Sequence, residues 1–225
     1  MGNLARAPAV PVVSLKGPSK CPIIGSMIKL DDRVNYIVSG LERSGTSLLM
    51  QILCAGGVPI AFDMESRPPD DNNPRGYFEL EGGKVINRLM DATFPLANYK
   101  GRFIKITAYG LKFLPPGNYR IIYTERNIDE VLDSMEKMAK VRDEKREDTK
   151  TSFIKLNEMI KDIITKREDI DVLFVNYNQI IGDPGHQVRK ICEHFGWEEA
   201  NLADMISAVD ENLYRKRRPQ GHAAT

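Results

Sequence analysis

Arg43, Ser44, Gly45, Thr46 and Ser47 bring a guanidinium, three hydroxyls and a flexible backbone hinge into one run, with Gly40 ahead of them. An apolar stretch, Tyr36-Ile37-Val38, leads into this run, and Leu48-Leu49-Met50-Gln51-Ile52-Leu53 leaves it as an apolar helix. The first turn of a helix exposes unpaired backbone N–H groups and a partial positive charge, so a strand–turn–helix of this kind can cradle an anion. Gly40 and Gly45 allow the backbone to curl close to a phosphate. Arg43, Thr46 and Ser47 add side-chain donors to the same cradle. The spacing Gly-x4-Gly is that of a phosphate loop, although Thr46 stands where a nucleoside triphosphatase carries its Lys. Transfer of a terminal phosphoryl group relies on that Lys and on Mg²⁺. The loop therefore suits a single 5′-phosphate bearing some other transferable group. Gly-x4-Gly by itself also fits a bare turn; the clustered hydroxyls and Arg43 are what favour an anion.

A second cluster lies downstream. Ile121-Ile122-Tyr123 reads as a short buried strand that ends at Glu125-Arg126. The helix that follows buries Ile128, Val131, Leu132, Met135 and Met138 on one stripe. Ser134 falls on another face, with Asn127 and Glu130, and is expected to look back toward Arg126. Ligands of open α/β sheets collect at the carboxyl ends of strands, so both clusters are expected to face one crevice. Taken singly, Arg126 also suits a surface ion pair and Ser134 a solvated helix position.

Together these segments resemble the sulfotransferases that use 3′-phosphoadenosine 5′-phosphosulfate (PAPS). Leu41-Glu42-Arg43-Ser44-Gly45-Thr46-Ser47 is similar to their 5′-phosphosulfate loop, and Arg126 with Ser134 matches the strand-end Arg and the Ser eight residues later that bind the 3′-phosphate. A looser match runs from Tyr177 to Pro184, where Asn178-Gln179 replaces an acidic pair. The resemblance spans residues 34 to 215. It implies transfer of a sulfuryl group from PAPS to a hydroxyl or amine of a small-molecule or glycan acceptor, releasing 3′-phosphoadenosine 5′-phosphate (PAP), with no metal. It further implies that Arg43, Ser44, Gly45, Thr46, Ser47, Arg126 and Ser134 hold the nucleotide. Arg43 takes the place of the loop Lys, and Lys105 resembles the strand Lys near the reacting group. An Arg supplies charge but cannot give up a proton as Lys can. The His that many members place shortly after that Lys is missing, since Ile106, Thr107, Ala108 and Tyr109 follow; His186, His194 and His222 all come late. Glu79 is the expected base, with Asp70 and Asp71 behind it and Glu42 equally able to pair with Arg43. Two other classes stay open: a nucleotide or small-molecule kinase, and an idle nucleotide-binding relative. The basic tail Arg215-Lys216-Arg217-Arg218 is either a solvated terminus or a segment folding over the 3′-phosphate.

The elements that must position these groups alternate along the chain. Strand and helix patterns fall at 34–39, 45–56, 102–108, 119–125, 127–141, 151–167, 171–177 and 185–195. This order predicts a P-loop-type, three-layer α/β fold with a mostly parallel sheet and helices on both faces. The expected organisation is an N-terminal arm over 1–33, one domain over 34–215 and a basic tail over 216–225. Between Pro59 and Asn98 the pattern weakens into a long polar loop placed to cover an acceptor site. Phe62, Phe78, Phe94 and Tyr99 suit either an acceptor pocket or the core. With 225 residues and 42% apolar content the chain can bury a core unaided. A net charge of +1 argues against a nucleic-acid partner. Cys21, Cys54 and Cys192 form neither a disulfide framework nor a metal cluster, which suits a reducing compartment. No apolar run nears the roughly 18 residues of a membrane span. Ala9 to Val13, broken by Pro11, is too short for a signal-peptide core, so a cytoplasmic location is expected. Oligomeric state has no sequence signature here.

Overall fold

The computed structural model of the chain describes residues 28–63, 65, 67–197 and 202–210. Most of the expected arm, His222 and the basic tail lie outside them. Four strands form one parallel sheet: β1 (Asn35–Gly40), β2 (Phe103–Lys105), β3 (Tyr119–Glu125) and β4 (Ile170–Asn176), in the order β2-β1-β3-β4. Parallel strands need crossovers, and their alternate residues must be buried on both faces. Tyr36 and Val38 accordingly join the core on one side, while Ile37 joins the core on the other. Helices α1 (Thr46–Ala55), α5 (Tyr177–Gly182), α6 (Pro184–Phe195) and α7 (Leu202–Ser207) supply the first core; α2 (Val85–Met90) and α4 (Arg146–Lys166) supply the second. Helix α3 (Ile128–Ala139) packs against α4. The three-layer expectation therefore holds among the described residues.

Differences from the expected elements have local causes. Strand β2 stops at Lys105, and the chain turns into a 3-10 segment at Ala108–Phe113. Helix α4 begins at Arg146 rather than 151. Its first turn looks like solvated charge in sequence, but Arg146 pairs with Asp129, Asp133 and Glu136, and Lys150 with Asp129. These pairs dock the start of α4 on α3. Three short helices, α2, α5 and α7, carry too few turns to show a period in sequence. Cys54 is disulfide-bonded, a pairing that three sparse cysteines give no reason to expect. Among the described residues no helix is long and apolar enough to cross a membrane.

Candidate nucleotide and acceptor site

All four strands deliver their carboxyl ends to one cavity of about 440 Å³. Strand β1 lies between β2 and β3, so the connection from β1 to β2 and the one from β2 to β3 run in opposite directions and open a crevice at the end of β1. The turn after β1 fills the floor of that crevice. Gly45, at the start of α1, has φ +108°, and a Cβ there would sit 2.3 Å from Tyr177 Cδ2. Only glycine fits both the left-handed backbone and the ring against it. No side chain caps α1, which leaves its first-turn N–H groups directed at the cavity. Arg43 itself holds a left-handed φ of +65°, a conformation that costs a non-glycine residue roughly 1 kcal/mol or more.

The two expected phosphate clusters meet. Arg43 Nε donates to Ser134 Oγ at 2.9 Å, and Arg43 Nη2 donates to the Asn72 carbonyl at 3.3 Å. Arg126 Nη1 donates to the Arg43 carbonyl at 3.2 Å, its Nε donates to Glu130 at 3.0 Å, and its guanidinium stacks 4.4 Å from the Tyr177 ring centre. Asn127 caps α3 by accepting from the N–H groups of Asp129 and Glu130. The cap fixes where α3 starts and hence where Ser134 points.

A third cluster faces them from β2 and the loop. Lys105 is buried, and its Nζ donates to the Tyr77 carbonyl at 2.7 Å and to Ser47 Oγ at 3.2 Å. It also pairs with Glu79 at 3.0 Å. The other Glu79 oxygen accepts from Arg67 Nη1 at 2.7 Å, and the Arg67 guanidinium carbon lies over the Tyr77 ring, 3.7 Å from its centre. Burial acts to raise the pKa of Glu79, but the charge of Lys105 and the Arg67 hydrogen bond outweigh it and hold the carboxyl below its ordinary range. Burial draws Lys105 below its ordinary value against the pull of Glu79. Gly83, at φ +86°, passes so close that a Cβ would lie 3.0 Å from Glu79 Oε2.

Of the expected site residues, Arg43, Gly45, Thr46, Ser47, Glu79, Lys105, Arg126 and Ser134 all line the cavity. Ser44 does not. Its hydroxyl is buried against Gly40 without a hydrogen-bond partner among the described residues. Glu42 is exposed at the rim, and Arg43 engages Ser134 and Asn72 rather than Glu42. Asp70 accepts from the Tyr77 hydroxyl and shapes the loop; neither it nor Asp71 lines the cavity. His186 and His194 sit on α6, away from it. Phe78 and Phe62 pack together at 4.9 Å, as do Phe94 and Tyr99 at 5.4 Å, and none of the four lines the cavity. Their role is packing. Arg67, Tyr77 and Thr107 were not legible as site residues, because the loop and the chain after β2 carry no period that assigns their directions; Gln51, on α1, was read only as part of an apolar helix.

The donor set suits a nucleotide with two separated phosphates: backbone N–H groups and hydroxyls at α1, and a guanidinium with a hydroxyl at α3. Comparison with known proteins identifies the family. The family model described as "Sulfotransferase domain" matches residues 33–223. Among solved structures, the sulfotransferase domain of the Synechococcus PCC 7002 olefin synthase aligns over 83% of this chain and 89% of its own, at 16% identity and a TM-score of 0.50. Mouse sulfotransferase SULT7A1 complexed with PAP aligns over 84% and 67%, at 15% identity and a TM-score of 0.47. The sulfotransferase domain of the curacin biosynthetic pathway aligns over 82% and 92%, at 14% identity and a TM-score of 0.46. A search of curated proteins found no match.

Proposed function

This chain belongs to the sulfotransferase family, and from that premise we propose that its donor is PAPS, bound with the 5′-phosphosulfate at α1 and the 3′-phosphate at Arg126. The observation that carries the reading is the convergence of the β1–α1 turn, Arg126 with Ser134, and Lys105 with Glu79 on one cavity. In the transfer, the bond between sulfur and the bridging phosphate oxygen breaks as a bond forms from sulfur to an acceptor oxygen or nitrogen. The acceptor's proton leaves to a base. Charge builds on the departing phosphate, and preorganised donors lower the barrier most where that charge appears. Arg43, Lys105 and the first-turn N–H groups of α1 surround that position. Glu79 is the carboxylate nearest Lys105 and takes the acceptor's proton. The acceptor is a small molecule or glycan entering beside Arg67 and Tyr77.

Thermal unfolding with PAP, with AMP, and with ATP plus Mg²⁺ tests the donor. Saturation at about a hundred times Kd adds roughly 2.7 kcal/mol, a rise of roughly 5 to 11 °C for a domain of this size. PAP alone is expected to produce it, and Arg126→Ala to abolish it. A rise with ATP and Mg²⁺ instead would overturn the PAPS reading in favour of phosphoryl transfer.

A further inference from the structure

Glu130 is a carboxylate inside what the donor reading makes an anion site, and its placement calls for a reason. Its side chain is 1% exposed. One oxygen accepts from Arg126 Nε at 3.0 Å, and the other accepts from Asn178 Nδ2 at 3.0 Å. A buried charge is costly unless paired and hydrogen-bonded, and both conditions are met here. By Coulomb's law alone this carboxylate weakens the pull of Arg126 on a phosphate. Its geometry does the opposite. Glu130 holds one edge of the guanidinium and Tyr177 covers one face, while the Arg43 carbonyl takes Nη1. An Arg side chain loses rotamer entropy when it is ordered, and a site that pre-orders it spares the ligand that loss.

We infer that Glu130, itself oriented by Asn178, is a positioning residue that makes the site selective for nucleotides bearing a 3′-phosphate. Asn178 is set by α5, whose cap Asn176 accepts from the N–H groups of Asn178 and Gln179. The chain of contacts thus runs from the end of β4 through α5 to α3 and back to the end of β3. Selectivity for the second phosphate is built by the sheet's outer half and does not rest on Arg126 alone. The inference rests on the assignment of Arg126 to the 3′-phosphate.

The test measures Kd for PAP and for AMP by calorimetry on the full chain, for wild type, Glu130→Gln, Asn178→Ala and Arg126→Ala. A charge-assisted hydrogen bond justifies an expected loss of about tenfold or more in PAP affinity for Glu130→Gln. AMP affinity should stay unchanged, and Asn178→Ala should show a smaller loss of the same kind. A merely structural role would weaken both nucleotides together. Unchanged or tighter PAP binding in Glu130→Gln, as charge removal alone dictates, would overturn the inference. Arg126→Ala separates the two levels: if it leaves the PAP-to-AMP ratio unaltered, the donor assignment itself fails. Should Glu130→Gln not fold, Asn178→Ala carries the same comparison, and an unaltered ratio there overturns the inference.

Discussion

Glu79 is tied to Lys105 and Arg67 through both its oxygens, and that geometry sets what it can do. A carboxylate held below its ordinary pKa stays ionised at working pH but is a weak base. If it takes the acceptor's proton, Glu79→Gln should lower kcat by about 10²- to 10⁴-fold, with the PAP shift retained. A loss confined to KM for the acceptor would assign it to orienting Lys105. Its depressed pKa also has a stability sign. The contribution is complete above the ordinary carboxylate value of 4.5 and disappears as pH falls through the lower folded value. Denaturation of wild type against Glu79→Gln should therefore show a gap that closes on acidification below that range. A gap that widens in acid would contradict the pairing. Gly45 gives a second test at this scale. Gly45→Ala places a Cβ on Tyr177 in a left-handed backbone, and the PAP-induced rise in melting temperature should vanish. A retained rise would show that the turn can relax.

At the scale of elements, the cap of α3 matters because Ser134 is carried by that helix. Asn127→Ala removes the acceptor for two N–H groups and should cost about 1 kcal/mol, roughly 2 to 4 °C in melting temperature. No change in Tm would mean that Arg126 and the α4 ion pairs set the start of α3 unaided. The sequence made this element plain, since Ile128, Val131 and Leu132 repeat at helical spacing, but it set Asn127 on a helix face with Glu130 and Ser134 rather than at the cap. It made the β1–α1 turn plain as well, because a glycine-bounded run between a strand and a helix admits few geometries. The loop was read as a cover for an acceptor site, but the side chains it sends into the cavity were not legible. Phe78 and Phe94 are aromatic and near the right stretch, yet they serve the two cores. Arg67 and Tyr77 reach the cavity through loop conformation, which no periodicity encodes. Glu130 and Asn178 meet only because α3 and α5 follow adjacent strands, a pairing that depends on sheet order.

The whole molecule is a sheet with a core on each face, and the site depends on both. Ile121 is fully buried in the central strand pair β1–β3. Ile121→Ala should cost about 2 to 5 kcal/mol, lowering the melting temperature by roughly 4 to 20 °C, while PAP still adds its own rise. Loss of that rise in a folded variant would show that the strand end carrying Arg126 moves with the core. The end of the cavity proposed for the donor is thus built from strand termini and helix starts, locked by the sheet ladder. The opposite wall is a loop, running over residues 67–77, pinned by a few side-chain bonds such as Arg75 to Asp210 and to the Ala208 carbonyl. Heritable change will fall unequally on these two halves. On the proposed reading, loop side chains can change without unfolding the chain or losing the nucleotide so long as the Asn72 and Tyr77 carbonyls keep their hold on Arg43 and Lys105, and such changes would retarget the molecule to a new acceptor while its sulfuryl supply stays the same.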